Sequence, residues 1–217
     1  MPKVGVVLSG CGVNDGSEIH EAVITMLELD KANADMVLMA PNIDQLHVIN
    51  HATGDEMGDS RNVLVESARI ARGNIKDIAE IKSGDLDALI FPGGFGVAKN
   101  LSDYAMAGAE CSINPDVQRL SKDIHNDGKP IGVICIAPAM MAQILGEETE
   151  LTIGYDDQTA NDINTMGAKH ITCPVEDIVI DDDKKVVSTP AYMEANSIKE
   201  AAEGIQKLVE QVLKMVK

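Results

Sequence analysis

Pro130-Ile131-Gly132-Val133-Ile134-Cys135-Ile136-Ala137-Pro138-Ala139-Met140-Met141 is the stretch that decides the fold. Residues 130–134 form a short apolar run of the kind found in a strand covered on both faces. Residues 136–141 read as the opening of a helix, with Pro138 in the first turn, where a missing amide hydrogen costs nothing. A strand that passes straight into a helix leaves one residue on a sharp turn at the carboxyl end of a sheet, where open α/β sheets bind ligands. That residue is Cys135. The unpaired N–H groups and positive dipole end of the following helix favour a thiolate over a thiol, so the position predicts a nucleophile. The competing reading is a cysteine that serves as a small buried hydrophobe.

Working outward, Lys129 to Ile134 is preceded by a helix over Asp116 to Asp127 that stops at Gly128. Upstream of it, Ala88-Leu89-Ile90-Phe91 is a strand that runs into Pro92-Gly93-Gly94-Phe95-Gly96. Val4 to Leu8 and Asp35 to Ala40 are further strands. Between them Ile19, Ala22, Val23, Met26 and Leu27 recur at helical spacing, which predicts an amphipathic helix with those residues on its inner face. Ser60 to Arg72 is helical, and residues 46–49 read as a possible short strand. Beyond Cys135 come a strand at 151–153, a helix near 159–166 and an extended piece around 170–173. Val179-Ile180 and Val186-Val187 flank Asp181-Asp182-Asp183-Lys184-Lys185 as a hairpin, and a long helix from Ile198 closes the chain. Strands alternating with helices predict an α/β fold: a mostly parallel sheet with helices on both faces. There is no Ser-rich or Pro-rich linker and no repeat, so residues 1–217 are expected to form a single domain.

With 217 residues the chain is long enough to bury a core without a staple or metal. Trp is absent and there are two Phe and three Tyr, so the 11 Met are expected to pack among Val and Ile. A net charge of −17 disfavours nucleic acid, which needs clustered Lys and Arg, and equally an anionic membrane surface. No apolar run approaches membrane-spanning length. Cys11, Cys111, Cys135 and Cys173 are far apart, a pattern that fits neither a zinc site nor a disulfide scaffold. The opening Met1-Pro2-Lys3-Val4 enters a strand directly, which leaves no room for a signal peptide, and the expected location is cytoplasmic.

Other residues converge on the same sheet edge. Glu18, at the start of the first helix, is expected to face Cys135 as its proton partner, although Asp15 and Glu18 also have the spacing of a capping box. Gly93 and Gly94, with the N–H of Ile136, are candidates for an oxyanion and substrate-binding hole. His20 and His51 are candidate bases; His47, His125 and His170 read as surface or packing residues. Gly10, Gly12 and Gly16 come close to a dinucleotide fingerprint, but the spacing is one residue too long. The second strand ends Met39-Ala40-Pro41-Asn42, without the acid that a ribose needs. Tight-turn glycines explain that loop more simply. Asp181-Asp182-Asp183 lacks the alternation of a calcium loop.

With those residues in view, the chain resembles the ThiJ/PfpI superfamily, relatives of class I glutamine amidotransferases. Residues 9–23, 48–51, 60–66, 92–101, 135–140 and 189–193 are similar, within it, to the ElbB subfamily of glyoxalase or "isoprenoid biosynthesis with amidotransferase-like domain" proteins. The resemblance implies a flavodoxin-like fold and a homodimer. It also implies glutathione-independent conversion of glyoxal, a small aldehyde substrate, to glycolate, with no cofactor and no metal. It further implies an acid hydrogen-bonded to the reactive cysteine, a role that falls on Glu18. Many superfamily members place a His after the strand that follows the nucleophile; here the matching stretch is Leu151-Thr152-Ile153-Gly154-Tyr155. That departure argues against a Cys–His–acid amidotransferase triad. It keeps two alternatives in view: a non-catalytic redox-sensing or partner-binding module, and an amidotransferase-like subunit that gains its His from a partner chain.

Overall fold

The strands alternate their side chains between two cores, and this sets the architecture. Val4 and Val6 of β1 (Lys3–Val7) pack on one face of the sheet and Val7 on the other; in β4 (Ala88–Phe91), Ala88 and Ile90 share the first face, Leu89 and Phe91 the second. None of these residues is reached by solvent, so the strands read as unbroken apolar runs rather than as half-polar alternations.

The structure is a computed structural model that describes residues 1–216. After β1 the chain forms α1 (Ile19–Lys31), β2 (Asp35–Ala40), α2 (Val63–Ile70), the two-residue β3 (Lys76–Asp77) and β4. A π-helical turn, Val97–Leu101, and the short α3 (Tyr104–Ala107) follow, then α4 (Pro115–Asn126), β5 (Ile131–Ile134) and α5 (Ala137–Leu145). The last third contains β6 (Glu150–Leu151), α6 (Asp157–Thr165), β7 (Lys169–His170), β8 (Val179–Asp181), β9 (Val186–Thr189) and α7 (Ile198–Met215). Among the described residues, seven strands form one sheet in the order β3-β2-β1-β4-β5-β9-β8. Every pairing is parallel except β8 with β9, which is the hairpin expected around residues 181–185. β6 and β7 pair separately, in parallel. The sheet with helices on both faces is flavodoxin-like, as expected.

One core joins β4 and β5 to Leu120 and Ile124 of α4, Met140 and Met141 of α5 and Ile163 of α6. The other joins β1 to Ala22 and Leu29 of α1 and to Ile205, Leu208 and Val212 of α7. Two expectations fail here. The stretch 46–49 is loop, with one isolated bridge, from Ile49 to Glu56, in place of a strand. And α1 is rotated from the face its apolar spacing suggested: Glu21, Ala22, Ile24, Thr25 and Leu29 are buried, while Ile19, Val23 and Leu27 are exposed. The helix carries apolar residues on two sides, so the pattern alone did not fix which side faces the sheet.

Candidate active site

β5 ends at Ile134 and α5 begins at Ala137, so Cys135 stands on the turn between them. Its φ of +62° is left-handed, a conformation that costs a non-glycine residue on the order of 1–2 kcal/mol. The N–H of Cys135 still donates to Thr189 O at 3.0 Å, continuing the β5–β9 ladder. The elbow is therefore held by the sheet on one side and by α5 on the other. The thiol is 8% exposed and opens onto a cavity of about 660 Å³.

The carboxyl group that meets the sulfur belongs to Glu21, one turn into α1, and not to Glu18. Glu18 is the helix N-cap: its Oε2 accepts the Glu21 N–H at 2.7 Å. Asp15, expected as the cap, instead accepts the N–H of Ile49 at 2.7 Å. Glu21 is fully buried. Its Oε2 accepts the Gly93 N–H at 2.8 Å and its Oε1 the Tyr192 N–H at 3.2 Å. Burial, reinforced by the neighbouring Glu18 carboxylate, pushes Glu21 up to about 8 against those two donors. Near neutral pH Glu21 is accordingly a carboxylic acid.

Burial and the Glu21 charge also raise the Cys135 thiol, opposing the hydrogen bonds from the Gly94 and Ile136 N–H groups. The helix-end argument for a resting thiolate is thus outweighed by desolvation. The two titrations are linked, because a proton retained on Glu21 removes the negative charge that opposes a thiolate and adds a donor to it.

Gly94 and Ile136 lie where expected, with N–H groups aimed at the sulfur. Gly93 does not serve in the same way. Its N–H is engaged by Glu21 and its carbonyl by the Glu18 N–H at 2.9 Å. Its contribution is closeness: a Cβ there would lie 2.5 Å from Cys135 Cβ and 2.7 Å from Glu21 Oε2. Gly94, with φ +100°, needs the freedom of glycine to turn the chain against the Glu18 backbone.

His51 is tied into the β1–α1 loop, where its Nε2 accepts the Asn14 N–H at 3.1 Å, which leaves Nδ1 to donate to Ile49 O at 3.0 Å. His20 faces Tyr192, with Nδ1 2.8 Å from the phenol oxygen. His170 accepts the Ile153 N–H at 3.3 Å. Three residues escaped the sequence reading. Glu21 was hidden by the misread face of α1. Tyr192 sits on the turn after β9. Asn100, buried in the π-helical turn, donates to Ser9 O and Asp15 O, both at 2.9 Å, and accepts the Leu46 N–H at 3.0 Å, so one side chain fastens two loops to its own turn. Among the described residues no cluster of His, Cys, Asp and Glu has the arrangement of a metal site.

A mostly parallel sheet with helices on both faces is also the fold of solved DJ-1/ThiJ/PfpI-like proteins. A DJ-1 superfamily protein from Salmonella typhimurium shares the fold with a TM-score of 0.59 at 20% identity, covering 100% of this chain and 89% of that one. By sequence the chain belongs to the glutamine amidotransferase-like class 1 domain-containing (ES1) family. It is 44% identical to the human mitochondrial "Glutamine amidotransferase-like class 1 domain-containing protein 3" over 98% of this chain and 83% of the relative. It is 42% identical to the rat "ES1 protein homolog, mitochondrial", over 98% and 84%. The crystal structure of an isoprenoid biosynthesis protein with amidotransferase-like domain from Ehrlichia chaffeensis superposes with a TM-score of 0.94 at 39% identity, covering all of both chains. No protein-family model matches the chain. The mitochondrial names of these relatives overturn the expected cytoplasmic location. Scattered free cysteines point to a reducing environment, which does not single out the cytoplasm.

Proposed function

We propose that the protein is a glutathione-independent glyoxalase that converts glyoxal, or a related small dicarbonyl, to the hydroxy acid through Cys135. The observation that carries this reading is Cys135 on its elbow, open to the cavity, with the buried Glu21 carboxyl group behind it against the sulfur. Glu21 takes the proton expected of Glu18, whose carboxylate caps α1.

The chemistry starts from the form of the pair that has lost one proton. As sulfur adds to the aldehyde carbon, the thiol proton moves to Glu21, which returns it to the new oxygen and leaves a neutral hemithioacetal. The ionised Glu21 then removes the carbon-bound hydrogen and delivers it to the neighbouring carbon, giving the thioester of the hydroxy acid. Water cleaves that thioester and restores the thiol. The Gly94 and Ile136 N–H groups, which now hold the sulfur, are the donors for the developing oxyanion.

The cavity wall favours a neutral substrate. Asp156 and Asp162 line it, and among the described residues no Lys, Arg or His does, so the carboxylate of glutamine would find no counter-charge there. With no histidine in contact with Cys135 or Glu21, an amidotransferase triad draws no support. An oxidisable sensor draws little, because the thiol is held protonated by burial. The homodimer belongs to this reading too: Ile19, Val23 and Leu27, 41–47% exposed, form an uncovered apolar row one turn apart along α1.

The test is glycolate formation from glyoxal well beyond one equivalent. Cys135→Ala and Glu21→Gln should each lose at least about a hundredfold, the scale of a lost nucleophile or proton carrier, while Glu18→Gln retains most activity. Equal turnover by wild type and Cys135→Ala would overturn the reading.

A further inference from the structure

We propose that Tyr192 carries the oxygen-bound proton in the reaction at Cys135, with His20 as the positioning residue that fixes its hydroxyl. The inference rests on the glyoxalase reading and supplies what that reading lacks, since Glu21 accounts for the carbon-bound proton and nothing yet moves the other one.

Tyr192 follows Ala191, a fully buried residue held at φ +44° on the turn after β9. That turn brings two ends of Tyr192 to the site. Its N–H donates to Glu21 Oε1 at 3.2 Å, so the backbone is anchored on the same carboxyl group that meets the sulfur. Its side chain lines the cavity with Cys135, and the phenol oxygen lies 2.8 Å from His20 Nδ1. The two rings are 5.7 Å apart and inclined at 46°. The His20 side chain is 48% exposed, and its Nδ1 lies 3.9 Å from Glu18 Oε1. The ionisable groups around the phenol are therefore His20, Glu18 and Glu21 of α1 and Cys135 of the elbow. Burial first, and then the charge that Glu18 and Glu21 can carry, push the phenol up, which keeps it a neutral donor.

Rearrangement of the hemithioacetal moves two protons, one from the first carbon to the second and one from the first carbon's oxygen to the second's. Glu21 transfers one from the first carbon to the second. On the oxygen side the second carbon's carbonyl becomes a hydroxyl while the first carbon's hydroxyl becomes a carbonyl. Tyr192 gives its proton to the former and takes one from the latter, so it ends the step as it began. A phenol is suited to this only if its hydroxyl is held in one orientation and its transient negative charge is shared, and a His20 Nδ1–H that donates to the phenol oxygen does both. A histidine that touches Tyr192 thereby stands in for one absent beside the cysteine.

The experiment measures glyoxal turnover and, by intact mass, the first-turnover adduct on the protein. Tyr192→Phe keeps the ring, and its unchanged N–H keeps the anchor on Glu21. It should form the Cys135 adduct as wild type does and lose turnover about a hundredfold or more. His20→Ala should lower kcat about tenfold at unchanged KM, and His20→Asn, whose amide can take the place of Nδ1, should restore most of it. A merely structural histidine would lower stability and leave kcat intact. Wild-type turnover by Tyr192→Phe overturns this inference alone, as does a His20→Ala variant with the wild-type kcat. Wild-type protein that forms no glycolate overturns it together with the glyoxalase reading.

Discussion

Two glutamates three residues apart on one helix have opposite fates, and the difference is solvation. Glu18 stays at the helix end, where its carboxylate accepts an N–H. Glu21 is carried beneath the sheet edge, where burial holds its proton to about pH 8 instead of the ordinary 4.5. Between those values the folded chain binds a proton that the unfolded chain has released. The stabilisation from the protonated form is therefore complete below pH 4.5 and is lost as the pH rises towards 8, by roughly 5 kcal/mol at most. Glu21→Gln cannot titrate. Its melting temperature relative to wild type should thus rise steadily from pH 5 to pH 8; a constant difference would mean that Glu21 ionises normally. The same group makes turnover pH-dependent in the opposite sense, because the pair must lose one proton before sulfur can add. The rate should increase up to about pH 8 in wild type.

At the scale of elements, α1 shows how a helix with two apolar sides defeats a periodicity argument. Ile19, Val23 and Leu27 satisfy the helical period as well as Ala22 and Leu29 do, yet only the second set packs on the sheet and α7. Glu21 contributes nothing to an apolar pattern, so that pattern is silent about its burial. The signal for it is its place beside Ala22 and one turn before Thr25, on the face that is buried. The uncovered row makes a prediction about assembly. Wild-type protein should sediment as a dimer, and Val23→Glu with Leu27→Glu should give a folded monomer, since both residues are exposed within the chain. A monomeric wild type removes the homodimer from the reading. The segment from Val97 to Ala107 carried no legible strand or helix pattern. It nevertheless supplies Ala98, Tyr104 and Met106 to the cavity, and its Asn100 fastens the loops around it.

For the whole molecule the cavity makes a prediction about substrate range under the proposed function. About 660 Å³ is far more space than glyoxal needs and is typical of sites for larger small molecules. Its wall carries carboxylates without a matching cation; the Tyr104 hydroxyl donates to Asp162 at 2.8 Å, and that phenol stays protonated well beyond neutral pH. Neutral aryl or alkyl dicarbonyls should consequently be turned over at least as well as glyoxal, and the glyoxylate anion poorly. Asp162→Asn should narrow that gap by several-fold. Efficient use of glyoxylate by wild type would show that the wall charge does not govern selection.

The sequence alone determined the strand–turn–helix at Cys135, the parallel α/β order, the terminal hairpin and long helix, and the closeness of Gly93 and Gly94 to the cysteine. Each of these follows from local patterns: apolar runs of strand length, glycines and prolines at turns, and a helix opening directly after a strand. Tertiary structure alone decided which glutamate meets the sulfur, that the thiol is protonated at rest, that Gly93 orders Glu21 instead of offering its N–H to a substrate, and that Tyr192 and His20, 172 residues apart, share a hydrogen bond. These depend on helix rotation and burial. A side chain's solvation and its distance to a group far along the chain are set by how the layers pack, and no local pattern encodes them.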